Sequence, residues 1–286
     1  MRSIITPRLY IMELGNEKNN RWDAETYHRV STVQESWAME LLEKRKMGEH
    51  EVVMDAGCGT GRVTETIANA VKKGRVYAVD RDDNMIAKAK ENLSGFSNIT
   101  IIKSDISEVI LPEKVDLIFS NAVIHWVLDH KKLFSNFWRL LKPNGELLIQ
   151  CGGKGNLGIV HTLLEKLRKS NAFKNYFADW KDQWNFSSPE DIIKTLNDIG
   201  FKDTQAQLKK KTAEFEDYHG FTLFMKTVVM KPYLAYLPAD NNNEIRNSFM
   251  GEFMREMKKN QITNRKAAAD IDLRLQYVRL DITGRK

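Results

Sequence analysis

The run Val52-Val53-Met54-Asp55-Ala56-Gly57-Cys58-Gly59-Thr60-Gly61 sets one carboxylate and three glycines directly behind a short apolar stretch. Glycines at this spacing, Gly57, Gly59 and Gly61, let the chain turn sharply and bring bare backbone against a ligand. Two familiar loops compete for the reading. A dinucleotide loop, G-x-G-x-x-G, seats a pyrophosphate on a helix N-terminus, but here the sixth position is Arg62. Asp55, two residues before the first glycine, would repel a pyrophosphate and attract an ammonium. A phosphate P-loop needs Gly-Lys-Ser/Thr, and none follows. The chemistry implied is a ligand that carries a positive amino group and lies against backbone.

Such a loop must be held by regular elements. Glu51 to Ala56 reads as a buried strand feeding it. Arg62 to Val71 has helical spacing and stops at Gly74. Val76 to Val79 is a second strand, closed by Asp80. Asp83 to Leu93 is helical, and Ile99 to Ile102 and Val115 to Phe119 are the third and fourth strands. Lys131 to Leu141 is a helix stopped by Pro143-Asn144-Gly145, a strong turn signal, and Leu147 to Ile149 is the fifth strand. This alternation predicts an α/β fold with a doubly wound, mostly parallel sheet. Beyond Gly152-Gly153, residues 156–185 read as helical and aromatic-rich. A helix opens at Pro189 with Ser187 or Ser188 as its cap and ends at Gly200. Phe201 to Leu208 makes a sixth strand, residues 216–268 a second helical block, and the imperfect alternation from Asp272 to Asp281 a last strand.

The D-x-G-x-G-x-G run after an apolar strand resembles motif I of class I S-adenosylmethionine-dependent methyltransferases. S-adenosylmethionine has the positive amino group that the loop calls for. The resemblance implies a seven-stranded, Rossmann-like sheet with helical cap inserts, and it implies roles for further residues. Asp80, at the end of the second strand, would hold the ribose diol; the alternative is a helix cap. Asp105 would face the adenine amino group, with Ile106 offering its backbone N–H, and Met85 would pack on the ring. Asn121 would face the methionine end, and Tyr27 would close over the cofactor.

The segment Ser120 to His130, with Asn121-Ala122-Val123, His125-Trp126-Val127 and Asp129-His130, resembles small-molecule carboxyl methyltransferases. The groups it resembles are trans-aconitate methyltransferase and juvenile hormone acid methyltransferase. Tyr27 followed by Gln34 fits the second group; Lys231-Pro232-Tyr233-Leu234 fits the first. An arginine-rich segment of the first group is replaced by Val33-Gln34-Glu35-Ser36, which weakens the case for a small polycarboxylate, while the match at Gln34 and Trp126 leans towards one carboxyl group on an apolar body. Gln34 and Trp126 would then donate N–H bonds to the acceptor carboxylate. His125 is the rival: a hydroxyl or amine acceptor would need it as a base. His130, His161 and His219 read as surface or capping residues. An acyl chain on a carrier protein is an alternative acceptor, and a cofactor-binding module without turnover an alternative of another class. The absence of N/D-P-P-Y/F after the fourth strand argues against base methylation.

Composition bounds these readings. The chain has 286 residues, 42% apolar and 29% charged, with no long uncharged apolar stretch, so disorder, collagen, coiled coil and a membrane span are poor readings. Two cysteines, Cys58 and Cys151, are too few for a disulfide framework or a cysteine zinc site and fit a reducing cytoplasm; no metal is expected. The N-terminus, with its short patch Leu9 to Met12, does not read as a secretory signal. The net charge of +6 lies wholly in residues 151–286, a solvated face or an anion-attracting one, without the interleaved aromatics of a nucleic-acid footprint. The expected organisation is an N-terminal lid and helix (1–48), a cofactor-binding core (49–153), a helical cap insert (154–186), a core helix and strand (187–215), a second cap insert (216–268) and a last strand (269–286). The insert aromatics Phe173, Tyr176, Phe177, Trp180 and Trp184, then Phe221, Phe224, Met225, Met230 and Tyr233, are core or pocket lining.

Overall fold

Val52–Ala56 is apolar on both sides, as a strand covered by helices on both faces must be, and all five of its residues are buried. It is β1 of a seven-stranded sheet in a computed structural model that describes residues 22–30, 32–239, 243–264 and 272–286. The other strands are β2 (Arg75–Asp80), β3 (Ile99–Lys103), β4 (Val115–Asn121), β5 (Leu141–Gly152), β6 (Lys202–Glu214) and β7 (Arg274–Arg285). Their order is β3-β2-β1-β4-β5-β7-β6. β1 to β5 pair in parallel, and β7 runs antiparallel to both β5 and β6. The strand order reverses between β1 and β4. Ligands of open α/β sheets bind outside the carboxyl ends of the strands at such a point.

The helices in chain order are α1 (Ala24–Val30), α2 (Thr32–Leu42), α3 (Arg62–Ala70), α4 (Asp83–Asn92), α5 (His130–Leu140), α6 (Gly158–Arg168), α7 (Pro189–Ile199), α8 (Tyr218–Phe224), α9 (Lys231–Tyr236) and α10 (Glu244–Asn264). On one face of the sheet, Ala38 and Leu41 of α2 and Ile67 and Ala68 of α3 pack on Val53, Leu117, Phe119 and Leu148. On the other face, Phe134 and Phe137 of α5 and Ile192 and Leu196 of α7 pack on Met54, Ile118, Leu147, Ile149, Leu280 and Ile282. Ser188 caps α7 through a bond from the Asp191 N–H, and Gly200 ends it at φ 117°.

Several elements differ from the sequence reading. β6 runs on to Glu214 because β7 starts at Arg274 and stays in register with it, which places Lys209-Lys210-Lys211 inside a strand. β5 begins at Leu141; the Pro143-Asn144-Gly145 turn ends α5 and is absorbed as a slip between the pairs Val115–Leu141 and Leu117–Glu146. Helix over 156–185 is limited to α6 and a 3-10 turn at Lys174–Phe177, and residues 181–188 have no regular structure. His130 is buried, not a surface residue: its Nε2 lies 3.0 Å from the Ile124 carbonyl. Residues 1–21 of the expected lid, the patch Leu9 to Met12 within it, Asn241-Asn242 and residues 265–271 lie outside the described residues.

The chain forms two compact units. The larger holds the sheet with residues 181–229. The smaller holds residues 159–180 with the described part of 230–272. Inside the smaller unit Trp180 stacks on Tyr233 at 4.6 Å, Phe173 meets Phe249 edge-on at 5.0 Å, and the Arg168 guanidinium lies 5.3 Å from the Trp180 ring. Phe221, Phe224, Met225, Met230 and Tyr233 are each at most 1% exposed, so these side chains are interior packing. Among the described residues no helix is long and apolar enough to cross a membrane, and no cluster of His, Cys, Asp and Glu could hold a metal ion.

Candidate active site

The glycine loop turns at the carboxyl end of β1. Gly57, Gly59 and Gly61 have φ of 81°, 55° and 85°, the left-handed region that favours glycine. A Cβ at Gly57 would meet Val123 at 2.3 Å and one at Gly61 would meet Leu93 at 2.6 Å, whereas one at Gly59 would meet nothing within 4 Å. Gly59 therefore faces the open space of the cradle. The N–H groups of Gly57 and Cys58 both bond the Val79 carbonyl, which lays the loop against the end of β2.

Asp80 stands there. Its Oδ2 accepts the Gly59 N–H at 3.0 Å and its Oδ1 the Asp82 N–H at 2.9 Å. The cap of α4 is Asp82, which accepts from Asn84 and Met85; Asp80 is aimed at the loop. Asp55 is 2% exposed and accepts the Thr64 hydroxyl at 2.6 Å. Burial, with a smaller push from Asp80, drives its pKa up to about 7. Burial also raises Asp80, against the pull of its backbone N–H donors. Among the described residues neither carboxylate makes an ion pair. A buried and a half-buried acid without a cation among the described residues are an unstable arrangement that a positively charged ligand would relieve.

Met85 is buried on α4. Asp105 follows β3, accepts the Ser107 N–H at 2.8 Å and lies 3.6 Å from Arg81. Burial works against its charge, but Ser107 and Arg81 outweigh it and hold the carboxyl below its ordinary value. Ile106 is buried, and its carbonyl accepts from Asn136 at 3.0 Å. Tyr27 of α1 lies near Asp80 and Arg62; burial first, then Asp80, raises its hydroxyl to about 12.

The carboxyl ends of β4 and β5 are built differently. The Trp126 ring has His125 at 5.4 Å, Trp184 at 5.5 Å and Trp22 at 5.8 Å. Phe186 stacks on His125 at 5.7 Å. The Asn185 N–H bonds the His125 carbonyl and its side chain the Leu128 carbonyl, fastening this segment to the loop after β4. The His125 Nδ1 accepts the Gly152 N–H at 3.2 Å. An imidazole that accepts at Nδ1 carries its proton at Nε2, so this ring is a neutral donor there. Gln34 is 8% exposed on α2, and its carbonyl accepts from Asn121 at 3.1 Å. No hydrogen bond joins Gln34 to Trp126. Trp22, whose N–H bonds Asp82 at 3.0 Å, links the two ends. The sequence reading assigned this role to neither Trp22 nor Phe186, because it arises from contacts between distant segments.

A seven-stranded sheet with one reversed strand, and a glycine loop flanked by the acids Asp55 and Asp80, define the class I methyltransferase architecture. A methyltransferase-domain family model matches residues 48–216, more than half of the chain, and the chain belongs to that family. It is 31% identical over 206 residues to malonyl-acyl-carrier-protein O-methyltransferase 2 of Ilyobacter polytropus, covering 72% of this chain and 74% of that one. It is 29% identical over 163 residues to trans-aconitate 2-methyltransferase of Acidovorax ebreus, covering 57% and 61%. Among solved structures, phosphoethanolamine N-methyltransferase 2 of Haemonchus contortus superposes with a TM-score of 0.56 at 19% identity, over 92% of this chain and 56% of that one. The cofactor is S-adenosylmethionine, and the open cradle at Gly59 and the unpaired acids fit its cationic character.

Proposed function

We propose that the protein transfers a methyl group to the carboxyl oxygen of a small, mainly apolar acid. The observation that carries this reading is the neutral acceptor end: the His125 Nδ1 is taken by the Gly152 N–H, so the ring is a donor and not a base. A carboxylate is ionised at neutral pH and needs no base, whereas a hydroxyl or amine does. The names of the relatives support it, since trans-aconitate and malonyl both carry carboxylates. The aromatic rings around Trp126 suit an apolar body.

The bound cofactor supplies an activated methyl group on a sulfonium. The chain's own residues align and exclude water. Gly57, Gly59 and Gly61 give backbone access, Asp80 holds the ribose, Met85, Asp105 and Ile106 surround the adenine, and Asp55 and Asn121 face the amino-acid end. Tyr27 covers the cradle. The Gln34 amide N–H and the Trp126 indole N–H orient the acceptor carboxylate without quenching its charge. A second reading, an acyl chain on a carrier protein, is favoured by the relative named for that substrate. Three partly exposed lysines in the sheet unit, Lys44, Lys209 and Lys211, also favour it; together with the buried Arg279 they share two acids, Glu40 and Asp281.

A methyl-transfer screen with labelled cofactor against carboxylic acids, alcohols, amines and acyl carrier proteins tests both readings. Turnover of apolar acids, with a rate that is flat above the substrate pKa, is the expected result. Turnover only of alcohols or amines, with a limb near pH 6–7 that disappears in His125→Ala, would reject it.

A further inference from the structure

Three buried amide oxygens on one face of the sheet have no hydrogen-bond partner among the described residues: Gln34 Oε1 on α2, Asn121 Oδ1 at the end of β4 and Gln150 Oε1 near the end of β5. Leaving a buried acceptor unmet is costly, and each such atom calls for an explanation. The three are neighbours. Gln150 is the register partner of Asn121 in the parallel β4–β5 pair. Both sit two residues beyond a member of the α2-side core, Phe119 and Leu148, so both project toward α2. Gln34 lies one turn before Ala38 on the packed side of that helix, and its carbonyl accepts from Asn121.

The amides are oriented. The Asn121 N–H end is used by the Gln34 carbonyl and the Gln150 N–H end by the Cys151 carbonyl at 3.2 Å, so in both the oxygen is the end left over. Three unmet acceptors on neighbouring residues call for a group with several N–H donors, and an ammonium has three. Asp281, opposite Gln150 on β7, does not compete, because Lys44 at 2.7 Å, Lys209 at 2.9 Å and Arg279 at 3.1 Å already neutralise it. Asp55, on the neighbouring strand β1 and without an ion-pair partner among the described residues, adds attraction for a cation.

We propose that Gln150 completes, with Gln34 and Asn121, a three-carbonyl seat for the ammonium of the cofactor's amino-acid end. This rests on the reading of the cradle as the cofactor site, and it adds a residue from β5 that no part of the glycine motif announces. It also gives Gln34 two functions: its oxygen meets the cofactor ammonium, and its N–H meets the acceptor carboxylate.

Calorimetry on the full chain tests it with three probes: S-adenosylhomocysteine, its deaminated analogue, and methylthioadenosine, which lacks the amino-acid end. The wild-type chain should bind S-adenosylhomocysteine ten- to fiftyfold more tightly than the deaminated analogue. Gln150→Met, of similar shape but without the carbonyl, should lose most of that preference while its affinity for methylthioadenosine stays within twofold. A wild-type chain that binds the amino and deaminated compounds equally overturns the seat whether or not any variant folds. Undiminished preference in Gln150→Met removes Gln150 from it. Failure of the wild-type chain to bind all three probes instead overturns the cofactor reading on which the seat rests.

Discussion

The carboxyl ends of β1 and β2 and those of β4 and β5 lie in one sheet but are built by opposite rules. At the first, charge dominates: Asp55 is buried and Asp80 half-buried, both are raised in pKa, and neither has an ion-pair partner among the described residues. Their immediate partners, Gly59, Thr64 and Asp82, all lie between residues 55 and 85. At the second, the contacts around Trp126 are aromatic, and they come from residues as distant as Trp22 and Trp184. A local, charged end suits a ligand that never changes. On the proposed reading, an end assembled from separate segments, with neutral donors and rings, would let the acceptor vary while the cofactor cradle stays intact.

The sharpest break in that comparison is Gly59→Val. It puts a β-branched side chain at φ 55° and into the space the ligand needs. Cofactor binding should vanish in calorimetry while the far-ultraviolet circular dichroism is retained. Asp80→Ala should weaken cofactor binding by about 1.5–3 kcal/mol, the scale of a charge-assisted hydrogen bond, and should leave acceptor KM largely unchanged.

On the other end, Trp126→Phe should lower kcat/KM about tenfold, through a lost donor worth roughly 1–2 kcal/mol. Cofactor affinity should stay put; a parallel fall in both would erase the distinction between the two ends. Gln34→Ala should affect both.

The smallest effect is a pH slope from Asp55. Its folded pKa, about 7, lies above the ordinary carboxyl value. Its contribution to stability is therefore full below the unfolded value near 4 and is lost as pH rises to about 7. The melting temperature of the unliganded protein should fall across that window, and the slope should shrink in Asp55→Asn. Cofactor affinity should move the opposite way, rising with pH through 7, because a cation binds the ionised carboxylate. Proton release, read from heats in two buffers, should accompany binding at pH 6.

Much of the first end was legible because its signals are local. Glycines at fixed spacing after an apolar strand imply the loop, and Asp80 is placed by the end of the next strand. The helix cap at Asp82 was not separable from Asp80 in the sequence, since adjacent acids satisfy the same pattern; the hydrogen bonds of Gly59 and Asn84 divide their roles. The buried state of His130 was not legible either, because it depends on the carbonyl of Ile124 and on Ser187, 57 residues away. Aromatic stripes in the helical segments looked the same whether they lined a pocket or filled a core.

The sequence by itself determined the α/β alternation, the glycine loop and the acids that flank it, since strand periodicity and tight turns depend on residues a few positions apart. Only the tertiary structure decided that β7 runs antiparallel between β5 and β6, and that Trp22 and Trp184 meet at Trp126. It alone set Gln34 against Asn121 and Asn121 beside Gln150, with side-chain oxygens that have no partner among the described residues. Those outcomes depend on how the helices and strands pack, and packing brings together residues whose separation along the chain carries no periodic signal.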